Sequence, residues 1–287
     1  MGILTANLPT YTSATESNIE EEFIVITLYT HTMSPCAQKV RIVLAEKSLG
    51  WEAHSIDLQN KENLEPWYLA LNPLGVVPTL VHEDRPIIES SIICEYLEDS
   101  FPQPSLRPVS PLATARMRFW LKHIDIKLHP SCGALQWPLV MRPTLLKKTE
   151  EEQQRLIDQI PEEPRRERQR RLLALGLEAP DVVGSVKVYR DTIQKMEEAL
   201  LKQSWLTGDQ FGLADCAMSP YFQTLDQFGW LEILNDYPSV DDWFVRVRSR
   251  ESFQHAVAAD FSPTLLNQLK RIGADAWPVI ERHLNNL

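Results

Sequence analysis

The chain of 287 residues is poor in cysteine and has no long apolar segment. Its cysteines are widely scattered, unlike those of a disulfide framework or a metal cluster; they are Cys36, Cys94, Cys132 and Cys216. No apolar run approaches the roughly 20 residues that cross a bilayer. We therefore expect a protein of a reducing cytoplasm, with no metal and no membrane association.

Lysine and arginine are missing from the first 22 positions, which are rich in Thr, Ser and Glu. This composition argues against a secretory signal or an arginine-rich transit peptide, and it predicts a flexible arm over residues 1–22. The net charge of −10 disfavours a broad electrostatic role on nucleic acid. The remaining length is sufficient for two globular domains.

A strand that turns into a helix is predicted near the start of the chain. Residues 23–29 are rich in β-branched and aromatic types, and apolar residues recur at helical spacing after position 36. Ser34 fits the N-cap, Pro35 the first helical position, and Cys36 the first turn. The helix dipole and free N–H groups stabilise a thiolate there, belonging either to Cys36 or to a thiol ligand held by Ser34. Simple capping is the alternative for this motif.

The first half of the chain alternates between strand and helix patterns. A second strand is predicted at 51–58, a short helix at 64–71, two close strands at 78–82 and 86–88, and a helix from Glu89. This order predicts a thioredoxin-like domain over residues 23–104, with a mixed sheet between helices.

Strand signals largely vanish after the Pro-rich stretch that ends at Pro111. Helices are predicted from Pro111 onward and over 182–201, 214–228, 240–250 and 263–284, so residues 105–287 form an all-helical domain. Residues 147–171 carry dense mixed charge, with Pro161 and Pro164 in the middle, which is typical of a solvated face with a break.

Several motifs, in this order and spacing, closely resemble those of the cytosolic glutathione S-transferases. They are Ser34-Pro35-Cys36, Asn-Pro-Leu-Gly-Val-Val-Pro at 72–78, Ile-Glu-Ser-Ser at 88–91, Leu-Thr-Gly-Asp at 206–209 and Leu-Ala-Asp at 213–215. The resemblance implies a cytoplasmic detoxification enzyme that uses glutathione as co-substrate. It also implies a homodimer, with the thioredoxin-like half of one subunit against the helical half of the other.

The resemblance also implies a glutathione site. Val77 presents its backbone to the cysteinyl part of glutathione before a cis Pro78, and Glu89 and Ser90 meet the γ-glutamyl end. Lys61 is a candidate for the glycyl carboxylate, and Lys39 and Arg41 for attracting the acidic tripeptide. As bare sequence, Val77-Pro78 is also typical of an ordinary strand start, and Glu89-Ser90 is more often a helix cap than a ligand site. Asp215 is expected to be structural, in a capping box of which half is absent because Gly212 replaces the usual Ser or Thr.

Three residues are candidates for activating sulfur. Ser34 is the first choice, because serine-type members carry their hydroxyl at this helix start. Cys36 is the second, since zeta-like members have a cysteine two residues after the hydroxyl, while omega-like members have it at the position of Ser34. Tyr29, near the place of the hydroxyl in tyrosine-type members, is the third.

Residues 94–101, 105–108 and 116–120 resemble the bacterial lignin β-etherase branch of the superfamily. This resemblance implies an aromatic substrate pocket; its candidate residues are Trp120, His123, His129, Trp137 and Met141. At helical spacing such residues are more often simply core.

Three classes of function stay open. The first is a glutathione transferase acting on an apolar, aromatic electrophile, with β-aryl ether cleavage as a special case. The second is a glutathione-dependent thiol-disulfide oxidoreductase that uses Cys36. The third is a non-catalytic glutathione-binding or scaffold protein. A maleylacetoacetate isomerase is a further enzymatic possibility, although Pro35 interrupts its Ser-Ser-Cys signature.

Overall fold

The computed structural model describes residues 26–287, so the predicted arm over 1–22 lies outside the described residues. The first half contains the following elements: β1 (Ile26–Thr30), α1 (Pro35–Glu46), β2 (Glu52–Ser55), α2 (Pro66–Leu71), β3 (Thr79–His82), β4 (Arg85–Ile87) and α3 (Ser90–Ser100). A single 3-10 turn, Glu62–Leu64, precedes α2, which begins at Pro66 rather than at residue 64 because proline fits a first helical position.

The four strands form one mixed sheet in the order β2-β1-β3-β4. The strands β1 and β2 are parallel, whereas β3 pairs antiparallel with both β1 and β4. Between β3 and β4, Glu83 and Asp84 have φ of 50° and 58°. Positive φ at both central residues is the geometry of a two-residue hairpin turn. The predicted thioredoxin-like plan is confirmed.

The second half is helical throughout. Its helices are α4 (Pro111–His123), α5 (His129–Val140), α6 (Arg142–Leu145), α7 (Glu150–Asp158), α8 (Glu163–Leu175), α9 (Pro180–Leu200), α10 (Leu213–Phe228), α11 (Pro238–Arg248), α12 (Glu251–Ala256) and α13 (Pro263–Asn285). A π-helical segment, Ile124–Leu128, joins α4 to α5. The charged segment forms α7 and α8, with the break at Pro161 between them. No helix within residues 26–287 is both long and apolar enough to cross a membrane.

The core of the helical half is centred on α10, almost all of whose residues are buried. Asp215 in its first turn accepts hydrogen bonds from Trp243 Nε1 at 2.8 Å, from the Leu206 amide at 3.0 Å and from the Gly212 amide at 3.1 Å. Glycine is required at position 212 because a Cβ there would lie 2.7 Å from the Leu106 carbonyl oxygen. That close approach explains the departure from Ser or Thr.

Helix α1 packs on α3, α10 and α12 and joins the two halves of the chain. Buried Lys47 contacts Glu98 at 2.7 Å and donates to the carbonyls of Phe101 at 2.7 Å and Pro104 at 3.0 Å. Glu98 in turn accepts from the amide of Leu106 at 3.1 Å. The stretch between the halves is therefore held by hydrogen bonds to charged groups, which are stronger than neutral ones.

Candidate active site

The β1–α1 turn places Ser34 at the amino end of α1. Ser34 has extended backbone angles, and its Oγ accepts a hydrogen bond from the Ala37 amide at 3.3 Å. Pro35 is the first helical residue, where a missing N–H costs nothing. The Ser34 hydroxyl hydrogen is not used by this cap, because the oxygen acts as the acceptor.

A cavity of about 400 Å³ opens at Ser34, between the β1–α1 turn and α5. The turn contributes His31, Thr32, Met33, Ser34 and Pro35, and the segment after β2 contributes Leu58 and Gln59. The opposite wall is formed by α5, the residue after it, and two further residues, one between α12 and α13 and one in the first turn of α13. They are His129, Cys132, Gly133, Gln136, Trp137, Val140, Met141, Asp260 and Leu265. The lining is mostly apolar, with polar atoms at the Ser34 end and along α5, as is usual for small-molecule sites.

Cys36 does not line this cavity; its half-buried side chain points toward the helical half. Its Sγ lies 3.3 Å from His129 Nδ1 and 3.8 Å from the Tyr221 hydroxyl oxygen. Burial raises the pKa of Cys36, but the charge and hydrogen bond of His129, together with Lys39 and Ser90, lower it to about 6. Burial lowers the pKa of His129, and the Cys36 thiolate outweighs it, so that the net direction is upward. The contact and the two opposite pKa shifts favour a thiolate of Cys36 beside an imidazolium of His129.

The expectation that Lys39 and Arg41 attract glutathione from solution is wrong, because both side chains are buried. Lys39 Nζ donates to Ser91 Oγ at 2.9 Å and lies 3.1 Å from Asp125 Oδ1. Arg41 lies 2.9 Å from Asp260 and donates to the Ala256 carbonyl at 2.7 Å. These cations stabilise the junction of the two halves, and Lys39 also stabilises the Cys36 thiolate.

The loop before β3 has the geometry that the resemblance implies. Val77 is buried and the Val77–Pro78 peptide bond is cis. The Val76 carbonyl accepts from the Tyr68 hydroxyl at 2.7 Å and from Asn72 Nδ2 at 2.9 Å. Those two bonds fix the loop that carries Val77.

The other predicted glutathione contacts lie on two other segments, the start of α3 and the residue before the 3-10 turn. Glu89 precedes α3 with φ of 68°, and Ser90 is the first residue of that helix. The Ser90 hydroxyl is close enough to Cys36 to lower the pKa of its thiol. Lys61 is half-buried just before the 3-10 turn, and burial, with the charge of Arg165, lowers its pKa.

The predicted substrate residues fall into two groups. His129, Trp137 and Met141 line the cavity, whereas Trp120 and His123 do not. The latter two lie on α4, where His123 Nε2 is 2.8 Å from Thr192 Oγ1 of α9 and the Trp120 ring packs against His123. All five were candidates for the pocket, but His123 pairs with Thr192 and Trp120 packs against His123, so these two lie outside the cavity lining.

Tyr29, the third candidate for activating sulfur, lies outside the cavity lining. Tyr29 stacks on His54 and packs against Tyr68, in a cluster apart from the Ser34 turn. Sequence reasoning did not include Gln136, which lines the cavity, or Tyr221, which contacts Cys36. Gln136 follows His129 by seven residues, two helical turns, which is the signal that could have found it.

A thioredoxin-like half, an all-helical half and a cavity at the amino end of α1 define the glutathione S-transferase class. The family model described as glutathione S-transferase, N-terminal domain, matches residues 33–100, and the one described as glutathione S-transferase, C-terminal domain, matches residues 185–251. The chain belongs to the glutathione S-transferase family, as the resemblance implied.

Similar proteins include an etherase and an isomerase. Protein LigF of Sphingobium sp. strain SYK-6 is 26% identical over 247 residues, which are 79% of this chain and 96% of LigF. The crystal structure of beta-etherase LigF has a TM-score of 0.74 and 27% identity, covering 80% of this chain and 98% of that one. Maleylacetoacetate isomerase of Pseudomonas aeruginosa is 31% identical over 205 residues, 70% of this chain and 82% of the isomerase.

Proposed function

We propose that this protein is a glutathione transferase in which the Ser34 hydroxyl activates the glutathione thiol for attack on an apolar, aromatic electrophile. The observation that supports it most is the cavity that opens at Ser34 and continues along α5. A thiolate there is stabilised by the free amides of α1 and by the helix dipole. The Ser34 hydroxyl hydrogen, left free by the cap, can donate to the sulfur and lower its pKa.

The cavity and the relatives favour β-aryl ether cleavage as the reaction. Trp137 and Met141 offer an apolar face for an aromatic ring, and His129 and Gln136 offer polar groups beside it. The glutathione sulfur would form a bond to the carbon α to a carbonyl while the carbon–oxygen bond of the ether breaks. The aryloxide leaves with the electron pair and takes a proton from water.

The role of Ser34 is tested by Ser34→Ala with glutathione and a ketone whose α-aryloxy group is a fluorescent phenol. Loss of the hydrogen bond to the sulfur is expected to lower kcat/KM by about 10²–10³-fold. Because Ser34 is also an N-cap, the substitution costs about 1 kcal/mol of stability in addition.

A matched control separates the two effects. Thr149→Ala removes the N-cap of α7, where the Thr149 hydroxyl oxygen accepts from the Glu152 amide at 3.3 Å, and Thr149 does not line the cavity. It should lose similar stability and keep kcat/KM. An unchanged kcat/KM in Ser34→Ala would refute the assignment of Ser34, and turnover of other electrophiles without phenol release would refute the etherase reaction alone.

A thiol-disulfide oxidoreductase is the second candidate, supported by the 3.3 Å contact between Cys36 and His129. The Cys36 thiolate would attack a disulfide sulfur, release one thiolate and form a mixed disulfide. When that mixed disulfide is with glutathione, the thiolate of a second glutathione attacks the glutathione sulfur, which restores the Cys36 thiolate and releases oxidised glutathione. Disulfide exchange lost in Cys36→Ala and retained in Ser34→Ala supports this candidate; exchange that is absent from the wild type refutes it.

The predicted non-catalytic role and the predicted homodimer are further proposals. No binding of glutathione and no turnover of any electrophile would favour a scaffold.

A dimer is supported by exposed apolar side chains on the linker and on α3 and α4, among them Val109, Ile92 and Phe119.

A further inference from the structure

Gln136, on the α5 wall of the cavity, has both of its amide hydrogens committed to neighbouring side chains. Its Nε2 donates to Thr224 Oγ1 of α10 at 3.1 Å and to Cys132 Sγ at 3.1 Å. A glutamine carboxamide carries two hydrogens on its nitrogen and one acceptor oxygen. The two hydrogens are therefore used, whereas Oε1 accepts no hydrogen bond within residues 26–287 and is not one of the enclosed polar atoms there that lack a partner.

The surroundings fix the direction in which this amide points. Thr224 is buried, and its hydroxyl donates to the Pro220 carbonyl at 3.1 Å, so its oxygen can only accept from other groups. Burial raises the pKa of Cys132, which keeps its proton and donates it to the same oxygen at 3.5 Å. An amide turned the other way would place Oε1 against an oxygen that offers it no hydrogen. The Gln136 nitrogen therefore faces Thr224, and the oxygen faces the cavity.

The other polar side chains of α5 on this wall are already paired. His129 contacts Cys36 at 3.3 Å, and Cys132 belongs to the network around Thr224. The remaining α5 residues of the lining, a glycine, a tryptophan and a valine, carry no side-chain acceptor. Gln136 Oε1 is thus the free acceptor that α5 presents to a ligand.

Gly133 leaves room for a flat group beside this oxygen. It lies inside α5, where glycine weakens a helix, and a Cβ added there would have no heavy atom within 4 Å. Gly133 precedes Gln136 by three residues and Trp137 by four, so the three share one face of the helix. An aromatic ring that lies on Gly133 and against Trp137 brings a substituent at its edge to Gln136.

We infer that Gln136 is a specificity-determining residue, which accepts a hydrogen bond from a hydroxyl group on the aromatic ring of the substrate. The inference rests on the proposed function and names its substrate class: phenols that also carry the electrophilic carbon. A methoxy group in the same place has no hydrogen to donate, so it would bring two acceptors together. Thr224 is a positioning residue, because it acts only by orienting the Gln136 amide.

The test compares ligands that differ only in a hydroxyl or a methoxy group on the ring. Acetophenones with either group at ring position 3 or 4 have no leaving group, so their Kd values are measured by calorimetry in the presence of glutathione. The matching ketones with an α-aryloxy fluorescent phenol give kcat/KM. The wild type should prefer the hydroxy member by about tenfold in both measurements, at one ring position at least.

Three variants examine the origin of that preference. Gln136→Met keeps the length of the side chain and removes the acceptor, so it should reduce the preference to less than about twofold. Thr224→Val removes the group that orients the amide and should reduce the preference as well. The matched control is Thr224→Ser, which keeps the hydroxyl and should keep the wild-type preference. Each preference is a ratio of two ligands on one variant, so a general loss of stability cancels.

The outcomes separate this inference from the proposed function. A wild type without a preference in Kd, or a preference that is unchanged in Gln136→Met, overturns the role of Gln136. If the preference in Kd depends on Gln136 but no ketone releases its phenol, the etherase reaction fails and the recognition of the hydroxyl holds. If Gln136→Met does not fold, the comparison of Thr224→Val with Thr224→Ser decides in its place, and equal preferences in those two variants overturn the inference.

Discussion

Replacing His129 by glutamine is expected to raise the pKa of Cys36 from about 6 toward that of an ordinary thiol. His129 Nδ1 lies 3.3 Å from Sγ, and its charge and hydrogen bond are the largest of the effects that oppose burial. Glutamine keeps a hydrogen-bond donor and removes the charge. Lys39 and Ser90 also lower the pKa of Cys36, but burial raises it by more than either of them lowers it.

The size of the effect follows from the two pKa values. At neutral pH a thiol with a pKa near 6 is roughly 90% thiolate, whereas one near 9 is roughly 1% thiolate. Alkylation of Cys36 by iodoacetamide should therefore slow by roughly one to two orders of magnitude in His129→Gln, because the thiolate is the nucleophile.

The assay is a pH titration of the ultraviolet absorbance of the thiolate, with alkylation rates measured in parallel. Burial raises the pKa of Cys94 to about 12, and it also raises the pKa values of Cys132 and Cys216. A thiolate signal near neutral pH therefore belongs to Cys36. Cys36→Ala should abolish the signal. His123→Gln, a matched change on α4, should leave it intact. A titration that stays near pH 6 in His129→Gln would refute the thiolate–imidazolium pair.

The same pair sets a pH window of stability. The lowered pKa of Cys36 contributes stability that is present above the ordinary thiol pKa and is lost as pH falls through about 6. The raised pKa of His129 contributes stability that is present below its ordinary value and is lost as pH rises through its folded value. Cys36 and His129 are charged at the same time only between pH about 6 and the folded pKa of His129.

Two further substitutions, Gly273→Ala and Asp215→Ala, test the core by denaturant unfolding, with Gly184→Ala as the control for the first. Gly273→Ala would bring a Cβ to 1.9 Å from the Phe228 carbonyl oxygen and should cost about 3 kcal/mol or more, whereas Gly184→Ala, with open space, should stabilise by about 0.5–1 kcal/mol. Equal effects of the two would contradict the close approach of α13 to α10. Asp215→Ala leaves Trp243 Nε1 and two amides unpaired and should cost about 3 kcal/mol or more, and a loss below about 1 kcal/mol would contradict its role.

Much of the fold could be predicted because the chain marks its turns locally. Ser34-Pro35 fixed the start of α1, and Pro111 and Pro263 fixed the starts of α4 and α13. Proline at a first helical position is a signal that depends on neighbours in sequence alone. The mixed character of the sheet followed from the short hairpin and the βαβ unit.

The candidate site was less predictable, since it depends on contacts between distant residues. Cys36 and His129 are 93 positions apart, and each was considered without the other. Lys39 was expected in solvent because charged side chains are rarely buried, yet Asp125 of the π-helical segment pairs with it. The position of that segment between α4 and α5 had no local signature, so the direction of His123 could not be inferred.

The buried contacts of Lys47 have a consequence for exchanging parts between relatives. The stretch between α3 and α4 separates the mixed sheet from the bundle of helices, but the carbonyls of Phe101 and Pro104 and the carboxylate of Glu98 all face one ammonium group of α1. A chimera that joins the sheet of one relative to the helices of another at this point changes the positions of the oxygen atoms that accept from the Lys47 ammonium group. The α5 residues that line the cavity can thus be exchanged between relatives only together with the side chains of α1 that the linker surrounds.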